Sequence, residues 1–306
     1  MDGNLLIEFL GASIRVATPL LFVAIGGLIS EKAGTFAVGI EGMMLAGAFG
    51  GAVATMSLGS SGAGLIVSAA SGAALGLIVA IATAKFHADQ IVTGLAVNIL
   101  ALGLTSFLLR GLFGGTAPVV QFETLAILPI PYLADLPIIG PILFRQPALV
   151  YAALGLAVAV HFFLKTGNGL LLRATGENPD AAFAVGADPV RIRILAIVVG
   201  GAFAGLGGAV LSLQEVGTFT DGMTNGRGFI ALAAIIVGRW MPLGTVISCL
   251  MFGAVAGLEL LVQGWGLPVS SYVIQMTPYF VALAILAAIG RGAQASAAIG
   301  LPFVRH

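Results

Sequence analysis

From Ala33 to Ala84 the chain meets one charged residue, Glu41, set in the run TFAVGIEGMMLAGAFGGAVATM. A bilayer core takes roughly 20 apolar residues per helix, and stretches of that length recur along the sequence. Spans are predicted at about 12–29, 36–56, 62–84, 91–112, 147–164, 191–213, 217–239, 243–263 and 271–290 on that measure. Charged residues make up 8% of the chain, against about 25% in soluble domains. Its 44 glycines suit helices whose backbones approach closely in lipid, where small residues replace the hydrophobic drive to associate. The expected fold is therefore all-α: a polytopic membrane bundle of about nine spans, within a range of roughly eight to ten. Residues 1–306 read as a single transmembrane domain.

The seventh span is the weakest of the nine. Thr218 to Arg227 is polar, and only about a dozen apolar residues follow it. Such backbone cannot face lipid, so the region near 217–239 is predicted to be a broken or re-entrant segment.

Charge excludes several function classes. The 13 basic and 13 acidic side chains balance, which gives no electrostatic footprint for nucleic acid. The single cysteine, Cys249, allows neither an internal disulfide nor a multi-cysteine metal cluster. The amino-terminal MDGNLLIEFL is acidic rather than basic, and a cleaved signal peptide is not expected. Orientation follows Lys and Arg near the helix ends. With an outer N-terminus, Lys32, Lys85, Lys165, Arg173, Arg191, Arg193, Arg239, Arg291 and Arg305 fall inside. Arg110, Arg145 and Arg227 fall outside, and Arg15 lies near the outer end of the first span. The expectation is an outer N-terminus and a cytoplasmic C-terminus.

Two loops stand out. The outer one, 114–146, carries Pro118, Pro129, Pro131, Pro137 and Pro141, a spacing that forbids a long helix. The inner one, 165–190, reads KTGNGLLLRATGENPDAAFAVGADPV. Asn178-Pro179-Asp180 is a good helix start, and Gly186 a good stop. One short surface helix at about 180–185 is predicted there.

Motifs for catalysis are missing. No G-x-x-x-x-G-K-[ST] loop is present to cradle phosphates. His87, His161 and His306 lie far apart without metal-ligand spacing, and neither H-E-x-x-H nor G-x-S-x-G occurs. Energy must come from an ion gradient or from another chain. Gly47/Gly51, Gly72/Gly76, Gly201/Gly205 and Gly253/Gly257 are G-x-x-x-G pairs that read as helix packing within the subunit.

Polar residues inside spans carry more information. Glu41 costs on the order of 3 kcal/mol at the centre of a membrane helix. It therefore needs a partner helix, a solute pathway or a coupling ion. Asn98 lies near mid-span, with Thr93 and Thr105 on the same segment, and it suits either a bond between helices or pathway lining. EVGTFTDGMTNGRGF gathers Thr224, Asn225 and Arg227 with other polar groups. It reads as a solvated outer loop or as a vestibule offering paired donors and acceptors to a hydroxyl-rich solute.

Five stretches taken together resemble the permease subunits of bacterial ATP-binding-cassette importers of the branched-chain amino acid, ribose and nucleoside family. They are EKAGTFAVGIEGMMLAGAF, DQIVTGLAVNILALGLTSFL, PYLADLPIIGPILF, RATGENPDAAFAVGADPVRIR and GRGFIALAAIIVGRWMPLG. The likeness covers nearly the whole chain and is greatest to the nucleoside, purine-type branch. It implies a multi-pass subunit of the bacterial inner membrane that binds no cofactor, with ATP and Mg used by a separate cytoplasmic ATP-binding subunit. It also implies a second permease subunit, either a paralogue or a second copy, and an external substrate-binding protein that docks on the outer loop. Residues 165–190 become the coupling loop, with Glu177, Asn178, Pro179, Asp180, Ala181 and Ala182 contacting the ATPase. Glu41, Thr93, Asn98, Thr105, Asn225 and Arg227 become candidates for the translocation path or vestibule. One departure is visible: relatives commonly carry Asn where this chain has Ala37, two positions before Gly39.

The function this implies is import of nucleosides, without an ATPase site on this chain. Two alternatives accompany it: a ribose-like simple-sugar permease, and an ion-coupled secondary transporter using Glu41.

Overall fold

The computed structural model describes residues 3–113, 122, 124–264, 276, 277, 280, 281, 283, 284, 287 and 295–303. Within them the chain forms α1 (Gly3–Lys32), α2 (Ile40–Leu58), α3 (Ser61–Ala80), α4 (Gln90–Phe113), α5 (Ala148–Phe163), α6 (Gly167–Glu177), α7 (Pro179–Ala184), α8 (Pro189–Ala209), α9 (Arg227–Val237) and α10 (Pro242–Gly264). Wider π-helical turns extend α3 over Ile81–Lys85 and α8 over Val210–Val216. A two-stranded antiparallel ladder pairs β1 (Ile127–Pro129) with β2 (Arg145–Pro147), Leu128 opposite Gln146.

Six of these helices are long and apolar enough to cross a membrane, or seven if the pair α5 and α6 counts as one broken span. The expected count of about nine is thus not reached among the described residues, for three separate reasons. Residues 147–164 form α5, which has 16 residues and bends by 78° into α6. The weak seventh span is a loop followed by α9, whose 11 residues cover roughly 16 Å at 1.5 Å each, about half a bilayer core. The ninth, 271–290, falls largely outside the described residues.

Glycine dictates how the long helices meet. α8 turns Gly200, Gly201, Gly205 and Gly208 toward three neighbours at once. A Cβ on Gly200 would strike the Gly26 carbonyl of α1, one on Gly208 the Met44 carbonyl of α2, and one on Gly205 the Ser68 carbonyl of α3. Gly47, Gly72 and Gly76 face α8 in return, while Gly253 and Gly257 of α10 lie against Ala17 and Ser13 of α1. All four G-x-x-x-G pairs therefore pack helices of this one chain. Leu21, Ile25, Leu28, Met44, Leu211, Ile235 and Phe252 fill the space beside the seam, each at most 1% exposed.

The two ends of the bundle are chemically distinct. At one, Arg15 of α1 donates to Gln146 Oε1 at 3.2 Å. The fully buried Gln146 also donates through its backbone to the Tyr151 hydroxyl, which ties β2 to the bundle. The other end gathers the close of α1, the turn at His87, and α6, α7 and residues 295–303. Here 165–190 contains two helices rather than one. Thr166 starts α6 by accepting the Gly169 N–H at 3.3 Å. Asn178 then starts α7 by accepting the Ala181 N–H at 3.0 Å, and Gly186 closes it at φ +91°.

Candidate functional site

α2 begins inside the molecule. Ile40 lies against Gly27 of α1, more than a turn short of the α1 end at Lys32, so residues 33–39 run through the packed interior. Backbone placed there must find partners away from bulk water. The Phe36 N–H donates to Gln90 Oε1 at 2.6 Å, the Ala37 N–H to Glu31 Oε1 at 3.4 Å, and Asn98 Nδ2 to the Val38 carbonyl at 2.9 Å. Ala37 itself is buried, 8% exposed, and lies on the Gly27 side of this link.

Both helices that start in this region have a glycine N-cap and no cap of their own. Gly39 precedes α2 and Gly226 precedes α9. Side chains from other helices supply the missing acceptors. Asn98 Oδ1, from α4, accepts the Gly42 N–H of α2 at 2.8 Å. Glu41, from α2, accepts the Gly226 N–H at 2.9 Å and the Gly228 N–H at 2.6 Å, and its Oε1 also accepts the Thr224 hydroxyl at 2.6 Å. A carboxylate at a helix N-terminus gains from both the orphan N–H groups and the helix dipole. This answers what Glu41 faces: the first turn of the half-length helix α9.

Polar residues before α9 are likewise committed. Arg227 pairs with Glu215 at 3.1 Å, both side chains partly exposed, and Asp221 accepts the Ser106 hydroxyl of α4. Phe219 buries edge-on against Phe49, centroids 5.2 Å apart. Residues 217–226 therefore lie down on α2 and α4. Asn225 holds a left-handed φ of 43° in the turn that presents Gly226 to Glu41.

Of the residues singled out from sequence, Glu41, Asn98, Asn225 and Arg227 are brought together around the starts of α2 and α9. Thr93 and Thr105 are not. Their hydroxyls donate to Asp89 and Ala101 carbonyls of their own segment, at 2.7 and 2.8 Å. At the far end of α9, the Trp240 indole N–H donates to Glu31 Oε2. Glu31 and Trp240 were not singled out from sequence, because Glu31 sits beside Lys32 like an ordinary solvated helix end.

A second cluster lies at the junction of α6 and α7. Glu177, Asn178, Asp180 and Ala181 are exposed, Pro179 is half-buried, and Ala182 is buried at 1% exposure. Ala182 thus anchors the helix to the body, while the other five present its outer side.

The family model for the branched-chain amino acid transport system / permease component matches residues 9–265. Among curated proteins, the guanosine ABC transporter permease protein NupQ of Bacillus subtilis is 36% identical over 310 aligned positions, 96% of this chain and 95% of NupQ. The nucleoside ABC transporter permease protein NupC of Lactococcus lactis is 35% identical over 94% of each chain. A putative glucose ABC transporter permease protein, TsgC13 of Haloferax volcanii, is 38% identical over 84% of this chain and 78% of its own length. No solved structure gives a significant match. With the family model spanning most of its length and two relatives aligned nearly end to end, this chain belongs to the family of branched-chain amino acid transport system permease components.

Proposed function

We propose that this chain is the membrane-spanning subunit of an ATP-binding-cassette importer for nucleosides. The single observation that carries this reading is its near end-to-end likeness to permeases of guanosine and nucleoside importers. The chemistry around α9 supports it. The N-terminus of a half-helix is a ready site for an anion, but here the protein's own Glu41 fills it. That arrangement suits a neutral, hydroxyl-rich solute better than an anionic one. Three committed donors also speak against Glu41 as a site for a coupling ion.

In this reading Glu41, Asn98, Asn225 and Arg227 belong to the translocation path or its vestibule, with α9 as its movable wall. The end bearing Lys32, Arg193 and α7 faces the cytoplasm, where a separate subunit hydrolyses ATP with Mg. α7 docks on that subunit through Glu177, Asn178, Pro179, Asp180 and Ala181. A second permease, paralogous or identical, completes the path, and a binding protein delivers solute to the outer loop 114–146. ATP-driven closure below then favours one arrangement of the bundle over the other.

The likeness to the putative glucose permease supports a second reading, a sugar importer. Uptake of labelled guanosine or adenosine, measured against ribose and glucose in cells carrying the whole transporter, separates the two. Uptake of the sugars alone would overturn the nucleoside reading.

A further inference from the structure

Arg193 lies in the first turns of α8 and is 2% exposed, and its guanidinium grips main chain. Its guanidinium donates to three backbone carbonyls: Ala33 at the end of α1 (3.3 Å), Leu301 (2.7 Å) and Ala298 (3.4 Å). A buried guanidinium is costly to desolvate, and the planar fork is suited to holding several acceptors at fixed angles. What it holds is the segment 295–303, gripped at Ala298 and Leu301 and joined there to Ala33 at the end of α1.

That segment crosses the root of α7. The Ala298 N–H donates to the Gly176 carbonyl at 2.9 Å, and the Ala297 N–H to Glu177 Oε2 at 3.3 Å. The Phe303 ring lies 5.8 Å from that of Phe183 in α7, and its carbonyl meets His87 Nε2 at 3.0 Å. A groove of about 410 Å³ remains between segment and helix, lined by Glu177, Pro179, Asp180, Leu301 and Phe303. Gly176, the penultimate residue of α6, packs on the Lys32 carbonyl so closely that no side chain fits between them. The close of α1, the start of α8 and the base of α7 therefore converge on one guanidinium.

We propose that Arg193 is a positioning residue for energy coupling: by clamping 295–303 across the base of α7, it makes α7 move as one piece with α1 and α8. This rests on the reading of α7 as the ATPase contact. Displacement of α7 is then delivered to the end of α1 and, through residues 33–39, to the starts of α2 and α9. Without the clamp, α7 moves on its loops and the displacement is lost.

The test uses the whole transporter in proteoliposomes, with loaded binding protein outside. In Arg193→Ala the ATPase subunit should still co-purify with the permease and hydrolyse ATP at the basal rate. Stimulation by loaded binding protein should fall on the order of tenfold, the scale of a typical coupling between sites, and solute moved per ATP should fall with it. A merely structural role would lower basal and stimulated rates in proportion, and that result, or full stimulation, overturns the proposal. Should Arg193→Ala not accumulate in the membrane, Arg193→Lys decides in its place: it keeps the buried cation but lacks the planar fork that holds several carbonyls at once. It should show the same split, and undiminished stimulation there overturns the clamp. A variant with bulky residues at Pro179 and Asp180 separates the two ideas. If it is stimulated normally, α7 is not the contact. If it is not, while Arg193→Ala is normal, only the clamp is lost.

Discussion

The Trp240 indole donates to Glu31 across 209 positions of sequence, and this bond holds the C-terminal side of α9 to the end of α1. Its counterpart is Glu41 at the other end of α9. The half-length helix is thus suspended between two carboxylates that flank the same link, residues 33–39. Trp240 also takes a left-handed φ of 53° beside Arg239 at 56°, a conformation that non-glycine residues adopt rarely. Trp240→Phe keeps most of the buried ring but removes the donor. Leaving a buried acceptor short of its partner costs about 2 kcal/mol, so the variant should insert normally and unfold at a lower temperature in detergent. An unchanged midpoint would show that the bond contributes nothing.

Glu41→Gln retains an acceptor for Gly226 but turns an amide toward a second donor. Loss of a charged N-cap costs about 1 kcal/mol, and Glu41→Ala should cost more. Both losses should appear in thermal unfolding, with uptake reduced in the same order. If Glu41→Gln transports normally across pH, an ion-coupling role for this residue is excluded.

Asn98→Ala removes the cap of α2 and the donor to Val38 in one step. Two interior backbone groups lose partners, so the expected loss is about 2–4 kcal/mol, larger than for Glu41→Gln. Asn98→Asp should restore the acceptor for Gly42 but not the donor, and recover part of it. Equal stability of the alanine and asparagine forms would sink this account of the α2 start.

Bulky or charged residues in place of Pro179-Asp180-Ala181 should leave insertion intact, because this side of α7 is largely exposed. Stimulation of ATP hydrolysis by loaded binding protein should disappear. ATPase assays on the assembled transporter read this directly, and normal stimulation would remove the docking assignment.

Gly205→Val pushes two methyl groups and a Cβ into the Ser68 carbonyl. Overpacking of this kind costs typically about 1–3 kcal/mol, and rigid backbone on the far side leaves little room for relief. The variant should accumulate poorly in the membrane, whereas Gly103→Val, where a side chain meets open space, should be tolerated.

Most long helices were legible because hydropathy over about 20 residues is a local property. The start of α7 was legible for the same reason: Asn178, Pro179 and Gly186 act within their own turn. α6 was not, since a threonine cap followed by Gly-Asn-Gly also reads as a loop. For Glu41 the need for a partner was plain, but the partner was not. Gly226 and Gly228 lie 185 and 187 positions away, and a backbone N–H leaves no trace in the residue type. Thr93 and Thr105 need no distant partner. A hydroxyl in a membrane helix can satisfy itself on the carbonyl one turn back, and both do so.

The glycine face of α8 has a mechanical consequence. Where backbone rests on backbone, no flexible side chain lies between the helices to act as a cushion. α1, α2, α3 and α8 therefore behave as one stiff frame, and a push at the Lys32 end travels through it with little slack. Compliance must be sought outside this frame, as at the 78° elbow between α5 and α6.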